Sequence, residues 1–416
     1  MILAKLYRND TLLILIAIAL GISLGVVQPQ WAMRMKPLSD VFLGVIGHAV
    51  PLVMFVLVAS AVAGFGERGQ KTRCASRVLA YFLLMTVLSL ITGAALAILL
   101  APGVGAESLP AAIARPLSDL PSALMTSLAR IMGHTVILPV LLAALVFGLV
   151  IGYAGDAGEP LRRRLDALVG WLLWALRKVL KFAPLAAFGA MAFTVGRYGP
   201  GSAWSLLKFV GTVYFACLLF VTLVLGLTAR CAGFGLLRLI AYIKAELCLV
   251  AFTGASVAAV PGLIEKLERA GCDRRVVRLV LSTGYTFNLT GSNIYLTCAL
   301  VFLAQAAGVV LDGPLLVMLL LVTLVTSMGS TSAAGSAFLT LAATVAGLNL
   351  VPLESIGLLL GVERLMKCRS LTNVIGNSLA CVVISAWSGA LDRLALREAL
   401  MPGRKAALPD AVAGKR

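Results

Sequence analysis

The sequence predicts an all-α polytopic membrane protein, and three observations carry that reading. Of the 416 residues, 60% are hydrophobic and only 13% are charged, whereas a soluble domain carries about 25% charge. The apolar residues fall in runs of the roughly 20 residues that a helix needs to cross a hydrocarbon core. The short connectors between those runs hold most of the basic residues behind the net charge of +17. Every soluble globule must turn much of its surface to water, and this composition leaves too little polar surface for that. The 40 glycines suit close helix packing in lipid.

Apolar runs near residues 11–28, 41–66, 76–101, 120–155, 166–196 and 204–229 read as six spanning helices. The first follows MILAKLYRND and has no small-residue cleavage site after it, so it reads as a span and not as a cleaved signal. Alternate connectors are strongly basic. Arg68, Lys71, Arg73 and Arg77 lie in one, Arg162 to Arg164 with Arg177, Lys178 and Lys181 in the next, and Lys266, Arg269, Arg274, Arg275 and Arg278 in a third. The tail after Asp392 is basic too. Basic residues stay on the cytoplasmic side, which places both termini there. A basic chain also suits nucleic acid, but no zinc-finger or RNA-binding motif accompanies the charge, so nucleic acid is not expected as a partner. The eight cysteines form no C-x-x-C pair and read as reduced, buried small hydrophobes. With His48 and His134 as the two histidines and no H-E-x-x-H or G-x-S-x-G, neither a metal site, a cofactor nor an enzyme is expected.

Beyond residue 229 the pattern changes. AFTGASVAAVP (251–261) and TLVTSMGSTSAAGSA (323–337) interrupt apolar stretches with small polar residues. They read either as re-entrant hairpins whose polar tips meet in the interior, or as short helices with Ser and Thr as packing glue. Broken helices at matching positions point to the substrate site of a transporter. NLTGS (288–292) sits inside the apolar run 276–305, where it weakens the helix and frees carbonyls for a small cation or a substrate; the alternative is a plain kink. The last apolar segment, 351–387, carries Glu363, Arg364, Lys367, Arg369, Asn373 and Asn377. Ionisable groups in a bilayer are costly and need a reason. Arg369 and Asn373 are four apart and share a helix face that Asn377 continues. One guanidinium with two amides makes an anion-binding stripe. The alternative pairs Arg369 structurally with a glutamate. Glu363 and Arg364 are expected to pair with neighbours near the outer end, and Lys367 lies on another face.

At these residues the chain resembles the dicarboxylate/amino acid:cation symporter family, which has the glutamate-transporter fold, and within it the bacterial four-carbon dicarboxylate branch. The matches are STGYTFNLTGSNIYLTCALVFLAQAAGV (282–309), TSMGSTSAAGSAFLTLAATV (326–345) and CRSLTNVIGNSLACVVISAW (368–387), with weaker ones at 137–152 and 182–199. The resemblance implies eight transmembrane helices, two re-entrant hairpins, a homotrimer in the bacterial inner membrane, and an elevator motion. In that scheme residues 1–75 hold scaffold helices 1 and 2, 76–119 hold helix 3 of the transport domain, and 120–229 hold helices 4 to 6. Residues 230–392 form the transport core and 393–416 a cytoplasmic tail. Carried over by residue, Arg369 matches the arginine that holds a substrate carboxylate, and Asn373 a substrate-binding asparagine. Ser256 matches the first hairpin tip, and Gly335 and Ser336 match the second. Asn288 matches an asparagine of the cation region, to which Ser292 also belongs.

The departures from the family pattern are informative. Thr290, in the substrate region, and Asn377 stand where the family has aspartates. Phe82 and Met85 stand where a tyrosine and a threonine can serve sodium. TGASV keeps only Ser256 of a serine-rich tip, and the chain is one residue short before Arg369. Sodium wants anionic or carbonyl oxygens, so weak or absent sodium coupling is expected, with a proton as the substitute and Glu246 and Glu363 as candidate carriers. Amino-acid carriers place an aspartate where this chain has Met366, so the expected substrate is a succinate-, fumarate- or malate-like dianion. The rivals are an acidic amino acid or other organic anion, and a paralogue that no longer transports.

Overall fold

Alternating long apolar helices and short basic connectors resolve, among the described residues, into a helical body. The computed structural model describes residues 10–63, 72–105, 137–199, 201–253, 256–327, 330, 336–348, 350–363 and 365–400. The N-terminal part holds α1 (Asp10–Val27), a short α2 (Pro29–Met33), α3 (Lys36–Ala63), α4 (Thr72–Leu100), α5 (Ile137–Tyr153), α6 (Glu159–Val179) and α7 (Ala183–Tyr198). Next, α8 (Gly201–Leu219) runs through a π-helical turn, Phe220–Leu225, into α9 (Gly226–Cys231). Among the described residues, Ser76–Leu100, Ala203–Cys231, Arg274–Ala306 and Lys367–Trp387 are long and apolar enough to cross a membrane.

One predicted span is two elements. The run 166–196 breaks at a 3₁₀ turn, Leu180–Phe182, between α6 and α7. Pro184 sits in the first turn of α7, where its missing N–H costs nothing but cannot continue the preceding helix. Charge explains the rest. Basic α6 is amphipathic, and it exposes Trp171 and Trp174 with Lys178 Nζ 5.4 Å from the Trp174 ring centre. The predicted run 120–155 is described only from Ile137 onward.

The C-terminal part is built from interrupted helices. α10 (Leu236–Tyr242) and α11 (Lys244–Thr253) lead to a 3₁₀ turn, Ser256–Ala259, and back along α12 (Val260–Arg269). Asp273 then caps α13 (Arg274–Phe287), its Oδ1 accepting from the N–H groups of Arg275 at 2.9 Å and Val276 at 3.1 Å. α14 (Thr290–Ala306) follows after two non-helical residues. α15 (Gly313–Ser327) and α16 (Ser336–Leu348) are both shorter than a span and pack against each other, with residues 331–335 between them outside the described set. α17 (Gly357–Glu363), α18 (Lys367–Trp387) and α19 (Arg393–Leu400) complete the chain.

Packing sorts these helices into two groups. α7 lies against α1, α2 and α3, and α3 also against α5. The second group centres on α14, which α4, α8 and α18 surround. Nearly every α14 residue is buried, as expected of a helix apolar all round. Gly93 of α4 permits this closeness: a Cβ there would lie 2.7 Å from the Ile294 carbonyl oxygen. α16, α17 and α8 carry the contact between groups, α16 on α3, and α17 and α8 on α7.

Candidate anion site at three helix interruptions

Three breaks meet around α18. It packs against α11, α13, α14 and the turn Ser256–Ala259, while its own N-terminus follows the gap after Glu363. The NLTGS segment is where α13 ends and α14 begins. Asn288 (φ −129°, ψ 55°) and Leu289 (φ −93°, ψ 58°) leave helical geometry. The predicted weakness is thus a real interruption.

Asn373 repairs that break from across the core. Its Oδ1 accepts from the backbone N–H of Gly291 at 2.8 Å and of Ser292 at 3.3 Å, and its Nδ2 donates to Ser292 Oγ at 3.1 Å. These N–H groups open α14 and have no intrahelical acceptor. Asn373 therefore serves as a cap supplied by another helix. Gly291 lets the helices approach, since a Cβ there would lie 2.8 Å from the Thr372 Cβ. One turn on, Asn288 Nδ2 donates to Asn377 Oδ1 at 2.9 Å, both residues fully buried. Asn288 Oδ1, Asn377 Nδ2 and Thr290 Oγ1 have no hydrogen-bond partner among the described residues.

Arg369 is 7% exposed. Its Nη2 donates to Glu363 Oε1 at 3.0 Å, and its guanidinium carbon lies 5.2 Å from the Tyr295 ring centre. Nη1 has no partner among the described residues. The glutamate pairing considered as the alternative for Arg369 is therefore present. It also corrects the expectation for Glu363, which faces the interior and not the outer end. The cause is the interruption between α17 and α18, with Leu365 and Met366 non-helical, which turns the last residue of α17 back toward the first turn of α18. The arginine, Asn373 and Asn377 share a face as predicted, but both amides are engaged by α13 and α14.

The remaining expected residues are distributed as follows. Ser256 is 1% exposed in a turn that packs on α18, and its Oγ has no partner among the described residues. Ser336 opens α16, while Gly335 lies outside the described residues. Glu246, at the start of α11, is held by Lys266 Nζ at 2.7 Å. Phe82 and Thr86 of α4 line a cavity of about 150 Å³ with Phe287, Asn293, Val325 and Ser327. Met85 is buried beside them in sequence.

Tyr295 and Asn293 escaped the sequence reading. A tyrosine in an apolar run looks like core. Asn293, adjoining NLTGS, carried a usable signal as a further amide in a buried helix; its Oδ1 is unpartnered among the described residues. Cys217, Cys272, Cys298, Cys368 and Cys381 are free and buried as the cysteine reading expected, whereas Cys231 and Cys248 are exposed and depart from it. Among the described residues no three His, Cys, Asp or Glu side chains form a metal-binding group.

A buried ion pair beside interrupted helices, inside an apolar helical body, is the architecture of a multi-pass membrane transporter. The chain belongs to the sodium:dicarboxylate symporter family, which matches residues 11–387. It is 41% identical over 416 residues to a C4-dicarboxylate transport protein of Burkholderia cenocepacia (strain HI2424), covering 96% of this chain and 97% of that one. It is 40% identical over 410 residues to the C4-dicarboxylate transport protein of Paraburkholderia phymatum, covering 95% and 96%. A third relative of that name, from Paraburkholderia xenovorans (strain LB400), is 41% identical over 406 residues, covering 93% and 94%.

Proposed function

We propose that the protein is a symporter that imports a small dicarboxylate of the succinate, fumarate or malate type, with a proton as the coupling ion. The observation that carries this reading is Arg369, a buried guanidinium bound on one nitrogen by Glu363 and unpartnered at Nη1 among the described residues. A guanidinium grips a carboxylate through two parallel hydrogen bonds. An arriving carboxylate therefore satisfies Nη1 and competes with Glu363 for Nη2. Met366, which precedes α18 and is 2% exposed, offers no charge to a substrate ammonium, and this favours a dicarboxylate over aspartate. The names of the relatives support the same substrate class.

Protonation of Glu363 is the proposed coupling step, since a neutral carboxyl releases the guanidinium to the substrate. The groups set against Glu363 are Arg369 and Tyr295 of α14, and from α8 the Tyr214 hydroxyl donates to the Leu365 carbonyl at 2.7 Å. Glu246 is the weaker carrier because Lys266 already holds it. Sodium dependence is proposed to be weak. Thr290 and Asn377 bring no anionic oxygen to the family's cation region, and the Asn288–Asn377 bond closes part of that space. Around this site we infer eight spanning helices and two re-entrant hairpins, a homotrimer, and an elevator motion of the second packing group against the first. The basic connectors favour cytoplasmic termini in a bacterial inner membrane.

The test is uptake of labelled succinate into proteoliposomes of the purified protein under imposed gradients. An inward proton gradient is expected to drive accumulation and a sodium gradient is not; the reverse result overturns the coupling. Arg369→Ala is expected to abolish uptake, and full retention removes Arg369 from the site. Competition by a panel of acids reads the substrate class, and stronger inhibition by aspartate than by fumarate or malate sinks the dicarboxylate preference.

A further inference from the structure

Three of the helical stretches able to cross a membrane have ends that converge on one side of the second packing group. They are Ala203–Cys231 and Lys367–Trp387 at their C-terminal ends, and Arg274–Ala306 at its start. The Asp392 N–H donates to the Gly271 carbonyl at 2.9 Å, which ties the connector after α18 to the one before α13. Beyond these ends lie two short helices, α10 and α19, packed on each other. The Arg393 guanidinium reaches the connector before α10, with Nη1 3.8 Å from where a Cβ on Gly233 would stand. Trp387 is 51% exposed, and a tryptophan at the end of a span prefers the headgroup level.

Both short helices present leucines on two faces. Leu236 and Leu239 of α10, and Leu396 and Leu400 of α19, are buried. Leu237 and Leu394 face outward, 78% and 73% exposed. Four exposed cations accompany this pair: Arg238, Lys244 at the start of α11, Arg393 and Arg397. None of the four makes an ion pair among the described residues. The cations of the neighbouring connector are neutralised instead. Glu265 holds Arg269, and Glu268 holds Arg274 and Arg278 at 3.3 and 3.5 Å. The Asp392 carboxylate caps α19, its Oδ1 accepting from the N–H groups of Leu394 at 2.9 Å and Ala395 at 3.1 Å. Within α19, Glu398 is the one acid.

We propose that the joint face of α10 and α19 docks on anionic phospholipid headgroups of the leaflet that α9 and α18 leave, with Leu237 and Leu394 entering the headgroup–acyl boundary. Leucines this exposed are disfavoured in water and gain by lying at that boundary. Unneutralised Arg and Lys beside them are drawn to an anionic surface. A zwitterionic surface serves the leucines but not the cations, and a soluble phosphate serves the cations but not the leucines. An anionic lipid serves both. The basic segment after α19, with Arg404 and Lys405, adds to the same field. α10 leads into α11 and the Ser256–Ala259 turn, and α19 follows α18. The docked face therefore lies on two chain segments that also build the candidate anion site.

The experiment places the full-length protein in phosphatidylcholine vesicles doped with a photoactivatable phosphatidylglycerol or with the matching photoactivatable phosphatidylcholine, and maps adducts by peptide mass. The phosphatidylglycerol probe is expected to label the peptides of α10 and α19 severalfold more than the phosphatidylcholine probe. High salt is expected to shrink that excess. Arg238→Gln combined with Arg393→Gln is expected to reduce the excess, and Leu237→Ser combined with Leu394→Ser to reduce labelling by both probes. Equal labelling by the two probes in the unaltered protein overturns the anionic preference, and a lack of adducts on both helices overturns the docking itself. An excess that inorganic phosphate abolishes at constant ionic strength overturns the lipid as occupant in favour of a free anion. The comparison of probes needs no variant, so a variant that fails to fold leaves the proposal decidable.

Discussion

Arg369 and Glu363 are both nearly buried, with side chains 9% and 6% exposed, so neither charge is cheap to leave alone. Removing one partner of a buried pair typically costs about 3–5 kcal/mol, because the other charge is stranded. Glu363→Gln keeps an oxygen for Arg369 but no charge and no titration. If Glu363 competes with substrate, this variant should lower the KM for succinate and flatten the pH dependence of uptake. An unchanged KM together with an unchanged pH profile would leave Glu363 as a structural counter-ion. The sequence exposed both residues as ionisable groups in an apolar segment. It did not expose their mutual contact, because six residues separate them and a continuous helix would have put them on different faces. The break between α17 and α18 brings them together.

At the scale of elements, interruptions are held by side chains from elsewhere. Asp273 is the local kind, capping its own helix. Asp273→Ala should destabilise the protein by about 1 kcal/mol, read as a lower thermal midpoint in detergent with uptake otherwise intact. Asn373 is the remote kind. Gly291 depends on it, and a methyl there would be driven into the Thr372 side chain. Gly291→Ala should therefore part α14 from α18 and cost uptake far more than stability of the outer helices, which limited proteolysis can separate. The NLTGS break was legible because Asn, Gly and Ser are poor helix formers in an apolar run. Its cap was not, since nothing in local spacing links Asn373 to residues some eighty positions earlier. The α6–α7 break was missed for the opposite reason: mean apolarity over 166–196 outweighed Pro184 and the Arg177, Lys178 and Lys181 already read as connector residues.

Across the whole molecule, the membrane class and the gathering of Arg369, Asn373, Asn377 and Asn288 were legible from composition and motif, whereas Tyr295, Asn293 and the division into two packing groups were not. That division depends on which glycines admit a neighbour. Gly93 against Ile294 is one example, and no periodicity marks it. The amide pair Asn288–Asn377 bears on this scale too, because the proposed proton coupling places no anionic oxygen there. Replacing Thr290 and Asn377 together by aspartate should restore two anionic oxygens beside Asn288 and make succinate uptake respond to sodium. If the double variant is folded and still indifferent to sodium, the identity of these two residues does not decide the ion.

A single amide on α18 closes the open end of α14, and so the two helices cannot be displaced separately without stripping donors of their acceptor in a dry interior. Any sideways pull on Asn373, whether from a carboxylate lodged on the adjacent guanidinium or from a strained neighbour, is handed directly to the backbone at Gly291. Under the proposed function, the two broken rods would be expected to move as one piece, so that substrate binding at the arginine would be felt where the other rod restarts.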